Sequence, residues 1–143
     1  MKNRNHASNT LGRLELFEDC SRRELAKVDS LLTMVTIPAG HVLIREGRIG
    51  NEFLIIASGQ AEVTKTGNYG ISKVAELHDG EFVGEIALLQ GVPRTATVTA
   101  KTDLTAYVSN AAEFREILRS APAAAERITR ASSLRSGELA VAA

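Results

Sequence analysis

The sequence predicts a mainly β domain with helices at both ends, built as a sandwich, barrel or jelly roll. Short runs rich in β-branched residues recur at intervals of roughly ten residues between Thr33 and Val108, with turn signals between them. On either side of that stretch, apolar residues recur at helical spacing instead. No internal repeat and no Pro- or Ser-rich linker interrupts the chain, so one domain is the simplest partition. Its expected extent is residues 11–136, after a polar lead-in over residues 1–10 and before a short tail over residues 137–143.

Leu11, Leu14 and Phe17 form a first short apolar stripe. Ser21-Arg22-Arg23-Glu24 follows as a capping box, in which Ser21 takes an orphan amide and Glu24 reaches back. Leu25, Val28, Leu31 and Leu32 then share one face of the helix it opens. Thr33–Ile37 reads as a strand leading to the Pro38-Ala39-Gly40 turn. Val42–Arg45, Glu52–Ala57, Ala61–Lys65, Ile71–Glu76, Thr95–Ala100 and Leu104–Val108 read as further strands. Thr66–Gly70 is expected to be a hairpin loop, and Leu77–Gly80 another turn. Asn110 suits the N-cap of a helix over Ala111–Arg119 with Phe114, Ile117 and Leu118 inward. Pro122 suits the first turn of a second helix reaching about Arg135, with Gly137 as its stop.

The chain has 143 residues, enough for one core, with 44% hydrophobic and 24% charged residues, as in ordinary globular domains. Lys plus Arg and Asp plus Glu number 17 each, so no global field draws the chain to nucleic acid or to an anionic membrane. Any anion must be captured by local geometry. Cys20 is the only cysteine, which excludes an intrachain disulfide. With no apolar leader and no long apolar run, a cytoplasmic location is expected.

Phe82 to Val98 carries the chemistry. Gly84 permits close backbone approach, and Glu85–Leu89 suits a single helical turn whose first amides are unpaired and suited to an anion. Gly91-Val92-Pro93 reverses the chain and delivers Arg94, whose guanidinium offers a fork to phosphate oxygens. Glu85 is an acceptor suited to a ribose hydroxyl. A Glu and an Arg nine positions apart across a turn also fit a surface ion pair of little consequence.

Gly84-Glu85-Ile86-Ala87-Leu88-Leu89 followed by Pro93-Arg94-Thr95-Ala96-Thr97-Val98 resembles the phosphate-binding cassette of cyclic-nucleotide-binding domains. Phe17, Leu25, Gly40, Glu46-Gly47, Phe53-Leu54-Ile55, Ser58-Gly59 and Gly80 match that family's landmarks in order, so the resemblance covers about Leu16 to Leu118. It implies a β-roll, a double-stranded β-helix jelly roll, with N-terminal helices and C-terminal lid helices. By the same resemblance, Arg94 pairs with the cyclic phosphate, helped by main-chain amides around Ile86 and Ala87 and by Thr95-Ala96. Glu85 accepts from the ribose 2′-hydroxyl beside the Gly84 backbone, and Val74, Phe82 and Val83 wall the sugar and base. Family members that prefer guanine carry threonine at the Thr95 position, while others with threonine accept both nucleotides, so cAMP and cGMP both stay open. The family's lid helix corresponds to Ala123–Arg135, with Thr129, Arg130, Ser132 or Ser133 as candidates to face the base.

These readings lead to a cyclic-nucleotide sensor without catalysis or cofactor. It is expected to lack an attached effector domain, since Ala143 follows Gly137 too closely for a recognition helix. It would act through a protein partner or as a homodimer through its C-terminal helices, without nucleic acid or membrane. The alternative is a β-roll interaction scaffold with no physiological nucleotide. His6, His41 and His78 lie too far apart for metal-ligand spacing, which argues against a cupin-type metal enzyme.

Overall fold

The structure, a computed structural model, describes residues 11–142, with side chains of the last helix described to residue 136. The lead-in expected over residues 1–10 lies outside the described residues. A helical turn and a 3-10 turn (Glu15–Phe17) precede α1 (Arg22–Ser30), which Ser21 and Glu24 cap reciprocally at 3.1 and 2.8 Å. Eight strands follow: β1 (Thr33–Ile37), β2 (Val42–Ile44), β3 (Phe53–Ser58), β4 (Ala61–Gly67), β5 (Gly70–Leu77), β6 (Phe82–Val83), β7 (Thr97–Ala100) and β8 (Leu104–Ser109). The short helix α2 (Glu85–Gln90) interrupts them, and α3 (Ala111–Ser120) and α4 (Pro122–Ala142) close the chain.

All pairings are antiparallel, in two four-stranded sheets of order β1-β8-β3-β6 and β2-β7-β4-β5. This is the mainly β roll with flanking helices that the sequence predicts. Alternation along β3 explains why Phe53 to Ile56 is apolar throughout. Leu54 and Ile56 face inward with Val98, Ala100, Leu104 and Ala106, filling the roll between the sheets. Phe53 and Ile55 face outward with Tyr107, where Leu11, Phe17, Val28, Phe114, Ile117 and Ile128 cover them. One strand therefore serves two cores.

Three expectations are corrected. β4 and β5 pair as far as Gly67 and Gly70, so Asn68-Tyr69 alone forms the turn of the hairpin, not the five residues Thr66–Gly70. The two-residue strand β6 was not foreseen, because two residues show no periodicity. Gly137 does not stop α4, which runs through it to Ala142. A glycine inside a helix costs only about 1 kcal/mol relative to alanine, too little to end a helix by itself.

The helix after the roll has its own N-terminal device. The Asn110 side chain accepts from the Glu113 amide at 2.8 Å, and the Glu113 carboxylate accepts from the Asn110 amide at 2.9 Å. Asn110→Ala is expected to lower stability by about 1 kcal/mol, read as a shifted urea midpoint at unchanged slope. An unshifted midpoint would mean that the cap contributes nothing.

Candidate functional site

The segment between β6 and β7 folds back over the second sheet and bounds a cavity of about 280 Å³. Ile44, Val63, Val74, Leu77 and Val98 form its apolar wall. Gly84, Glu85, Ile86, Ala87, Arg94, Thr95 and Ala96 form the opposite side, and Val83 of β6 joins them. The two side chains singled out in the sequence thus meet in one cavity, and neither is a surface group: Glu85 is 1% exposed and Arg94 5%.

Arg94 is aimed by its main chain. Its amide donates to the Arg48 carbonyl at 2.8 Å, and its carbonyl accepts from the Gly47 amide at 2.9 Å. Its guanidinium donates to the Glu52 carbonyl at 2.7 Å and to the Gly84 carbonyl at 3.1 Å. Among the described residues no carboxylate forms an ion pair with it. Burial pulls its proton affinity below the ordinary arginine value, and the more distant charges of Glu52 and Glu85 oppose this. A guanidinium remains charged under such a shift. The result is a buried positive charge in a cavity wall with no ion-pair partner, an arrangement suited to an anion from outside.

Gly84 makes this geometry possible. Its φ is 101°, and a Cβ there would stand 2.6 Å from the Glu52 carbonyl oxygen and 3.2 Å from Arg94 Nη1. The close approach of the chain to Arg94 thus requires glycine.

Glu85 opens α2 with both carboxylate oxygens 3.0 Å from Nη1 of Arg135, on α4. The same nitrogen lies 2.7 Å from the Phe82 carbonyl, and the guanidinium carbon sits 4.8 Å from the Phe82 ring centroid. Burial pushes the Glu85 carboxyl above the usual glutamate range, while Arg135 and then Arg94 pull against it. Gln90, at the other end of α2, donates to Ser136 at 2.7 Å and to Ser132 at 3.3 Å. The cassette helix is thus held to α4 at both of its ends.

Of the expected site residues, Val74, Val83, Gly84, Glu85, Ile86, Ala87, Arg94, Thr95 and Ala96 line the cavity, and Phe82 does not. Side chains alternate along a strand. Val83 faces the cavity, so Phe82 faces the helical core, 5.8 Å from Phe53 between ring centroids. None of Thr129, Arg130, Ser132 and Ser133 lines it either. Thr129 bonds its own helix, Arg130 pairs with Glu126, Ser133 is exposed and Ser132 meets Gln90. The α4 residue in the cavity wall is Arg135, expected from the sequence only as the end of the lid helix and not as a candidate site residue. It continues along α4 the stripe of buried Ala124, Ile128 and Ser132, at helical spacing.

Comparison with known proteins follows the same lines. The family model described as the cyclic nucleotide-binding domain matches residues 34–121. A cAMP-dependent protein kinase regulatory subunit of Yarrowia lipolytica is 39% identical over 108 residues, which make up 76% of this chain and 28% of that protein. The chain therefore spans only about a quarter of that relative. The regulatory domain of Toxoplasma gondii PKA, solved with cAMP, superposes with a TM-score of 0.82 at 25% identity, over 92% of this chain and 51% of that one. The regulatory subunit of a cAMP-independent protein kinase A from Trypanosoma brucei superposes with a TM-score of 0.81 at 23% identity, covering 90% and 48%. One fold thus serves kinase subunits described as cAMP-bound and as cAMP-independent, so the shape of the roll alone does not name a ligand.

Proposed function

The chain belongs to the cyclic nucleotide-binding domain family, and from that premise we propose that it is a signal-transduction module that senses a cyclic nucleotide, cAMP ahead of cGMP, without catalysing a reaction. The single observation that carries the reading is Arg94: buried, without an ion-pair partner among the described residues, and lining a cavity of ligand size. A buried guanidinium left without a counter-anion is costly, and an interaction scaffold has no need of one. In the proposed complex Arg94 takes the cyclic phosphate together with main-chain amides of Ile86 and Ala87. Glu85 accepts from the ribose 2′-hydroxyl, while Val74 and Val83 wall the sugar and base. Thr95 offers a hydroxyl to the base edge. The preference for cAMP is supported by similarity to relatives such as the cAMP-dependent protein kinase regulatory subunit of Yarrowia lipolytica.

The module is proposed to work in the cytoplasm, through a protein partner or a second copy. No helix among the described residues is long and apolar enough to cross a membrane.

A thermal-shift series tests the ligand class. cAMP and cGMP are expected to stabilise the protein by about 2.7 kcal/mol at a hundred times their dissociation constant. Linear 5′-AMP is expected to give no saturable shift. Equal stabilisation by the linear and cyclic phosphates would refute selection of the ring. Glu85→Ala is expected to reduce the preference for cAMP over its 2′-deoxy analogue about tenfold, measured by competition binding. An undiminished preference would remove Glu85 from sugar recognition.

A further inference from the structure

The Arg94 guanidinium borders a second position that has no side chain. A Cβ placed on Gly50, in the loop between β2 and β3, would stand 2.0 Å from Arg94 Nε, 2.4 Å from Cζ and 2.5 Å from Nη2. Its three nearest neighbours thus all belong to the guanidinium. Gly84 borders the same group at Nη1, but the two glycines differ in what they require. Gly84 has a left-handed φ of 101°, so backbone and space both demand glycine there. Gly50 is not among the glycines with positive φ, so space alone demands it.

The loop around Gly50 has little freedom to yield. The Gly47 amide and the Arg48 carbonyl bond the main chain of Arg94 at 2.9 and 2.8 Å. The Glu46 amide donates to Thr97 Oγ1 at 3.0 Å, and the Glu46 carboxylate accepts from the Thr66 amide at 2.9 Å. Downstream, β3 begins at the fully buried Phe53. The guanidinium, by contrast, is the end of a flexible side chain held on the Glu52 and Gly84 carbonyls. A side chain at position 50 is therefore accommodated by moving the guanidinium off the two carbonyls that aim it.

We propose that Gly50 is a positioning residue for phosphate capture: its missing side chain leaves the space in which the Arg94 guanidinium lies on the Glu52 and Gly84 carbonyls. The inference rests on the proposed role of Arg94. Gly50 is not among the residues that line the cavity, so it acts through the arginine. A fork meets two phosphate oxygens in one orientation of its plane, so a displaced head loses affinity although its charge remains. The sugar side is spared, because the Glu85 carboxylate is held by Arg135 of α4, away from this loop.

The test titrates wild type, Gly50→Ala and Gly50→Val with cAMP and 2′-deoxy-cAMP, beside a thermal melt. Gly50→Val is expected to lose roughly tenfold or more in affinity and Gly50→Ala a smaller factor, with the melting midpoint near that of wild type. Both ligands are expected to lose the same factor, so the preference for the 2′-hydroxyl stays. Unchanged affinity in Gly50→Val overturns the inference. So does a loss that erases the 2′-hydroxyl preference, which marks general damage to the site. Where the larger side chain unfolds the protein, Gly50→Ala decides by the same readings. A second measurement needs no ligand: the Nε–H resonance of Arg94 in a proton–nitrogen NMR spectrum should shift in both variants as the group leaves its buried place. An unmoved resonance also overturns the inference. Wild type that binds neither nucleotide sinks the proposed function instead, and the Arg94 resonance still decides whether Gly50 sets the place of the guanidinium.

Discussion

Arg94→Ala is expected to weaken cyclic-nucleotide binding a hundredfold or more while the ligand-free protein keeps its fold. A charge-assisted hydrogen bond contributes about 1.5–3 kcal/mol, and about 1.4 kcal/mol is a factor of ten. A guanidinium fork on a phosphate makes two such bonds, so its loss exceeds a single factor of ten. The effect on the unliganded fold is smaller because two terms oppose each other. The substitution leaves the Glu52 and Gly84 carbonyls without their donor, but it also removes a buried charge that has no ion-pair partner among the described residues. Calorimetric titration alongside a thermal melt separates the two. Affinity within a few-fold of wild type would mean that Arg94 is a structural group and that the phosphate sits elsewhere.

Phe53→Ala is expected to cost about 3–5 kcal/mol of stability, the usual range for a buried phenylalanine. The ring is fully buried, with centroids 4.7 Å from Phe114 and 5.8 Å from Phe82. It joins the helical layer to the first sheet at the strand end where the site begins. The preceding carbonyl, of Glu52, accepts from Arg94, and a Cβ at Gly84 would lie 3.5 Å from the Phe53 Cα. Loosening this end of β3 therefore disturbs the groups that aim Arg94, and ligand affinity is expected to fall along with stability. Denaturant unfolding measures the first and titration the second. A loss below about 1 kcal/mol would show that the helical layer does not depend on this ring.

Local patterns were the most legible part of the sequence. The Ser21 and Glu24 box forms as read, because both partners lie within four residues and need nothing from the rest of the chain. The cassette was legible for the same reason: Gly84, Glu85 and Arg94 belong to one continuous segment, and the cavity gathers them. What escaped depends on distant packing. Phe82 and Val83 are neighbours in sequence, and only the pairing of β6 with β3 decides which one faces the cavity. Arg135 was read only as the end of a helix, because its partner stands 50 residues away. Gly137 read as a stop, yet the helix passes through it.

The most direct measurement of the central claim is an equilibrium titration of the wild-type protein with cAMP and cGMP, run beside Arg94→Ala. Saturable one-to-one binding to the wild type is expected, with cAMP the tighter, together with its near-complete loss in the variant. No binding by the wild type up to about millimolar ligand, an affinity of only about 4 kcal/mol, would contradict it and leave the roll an interaction scaffold.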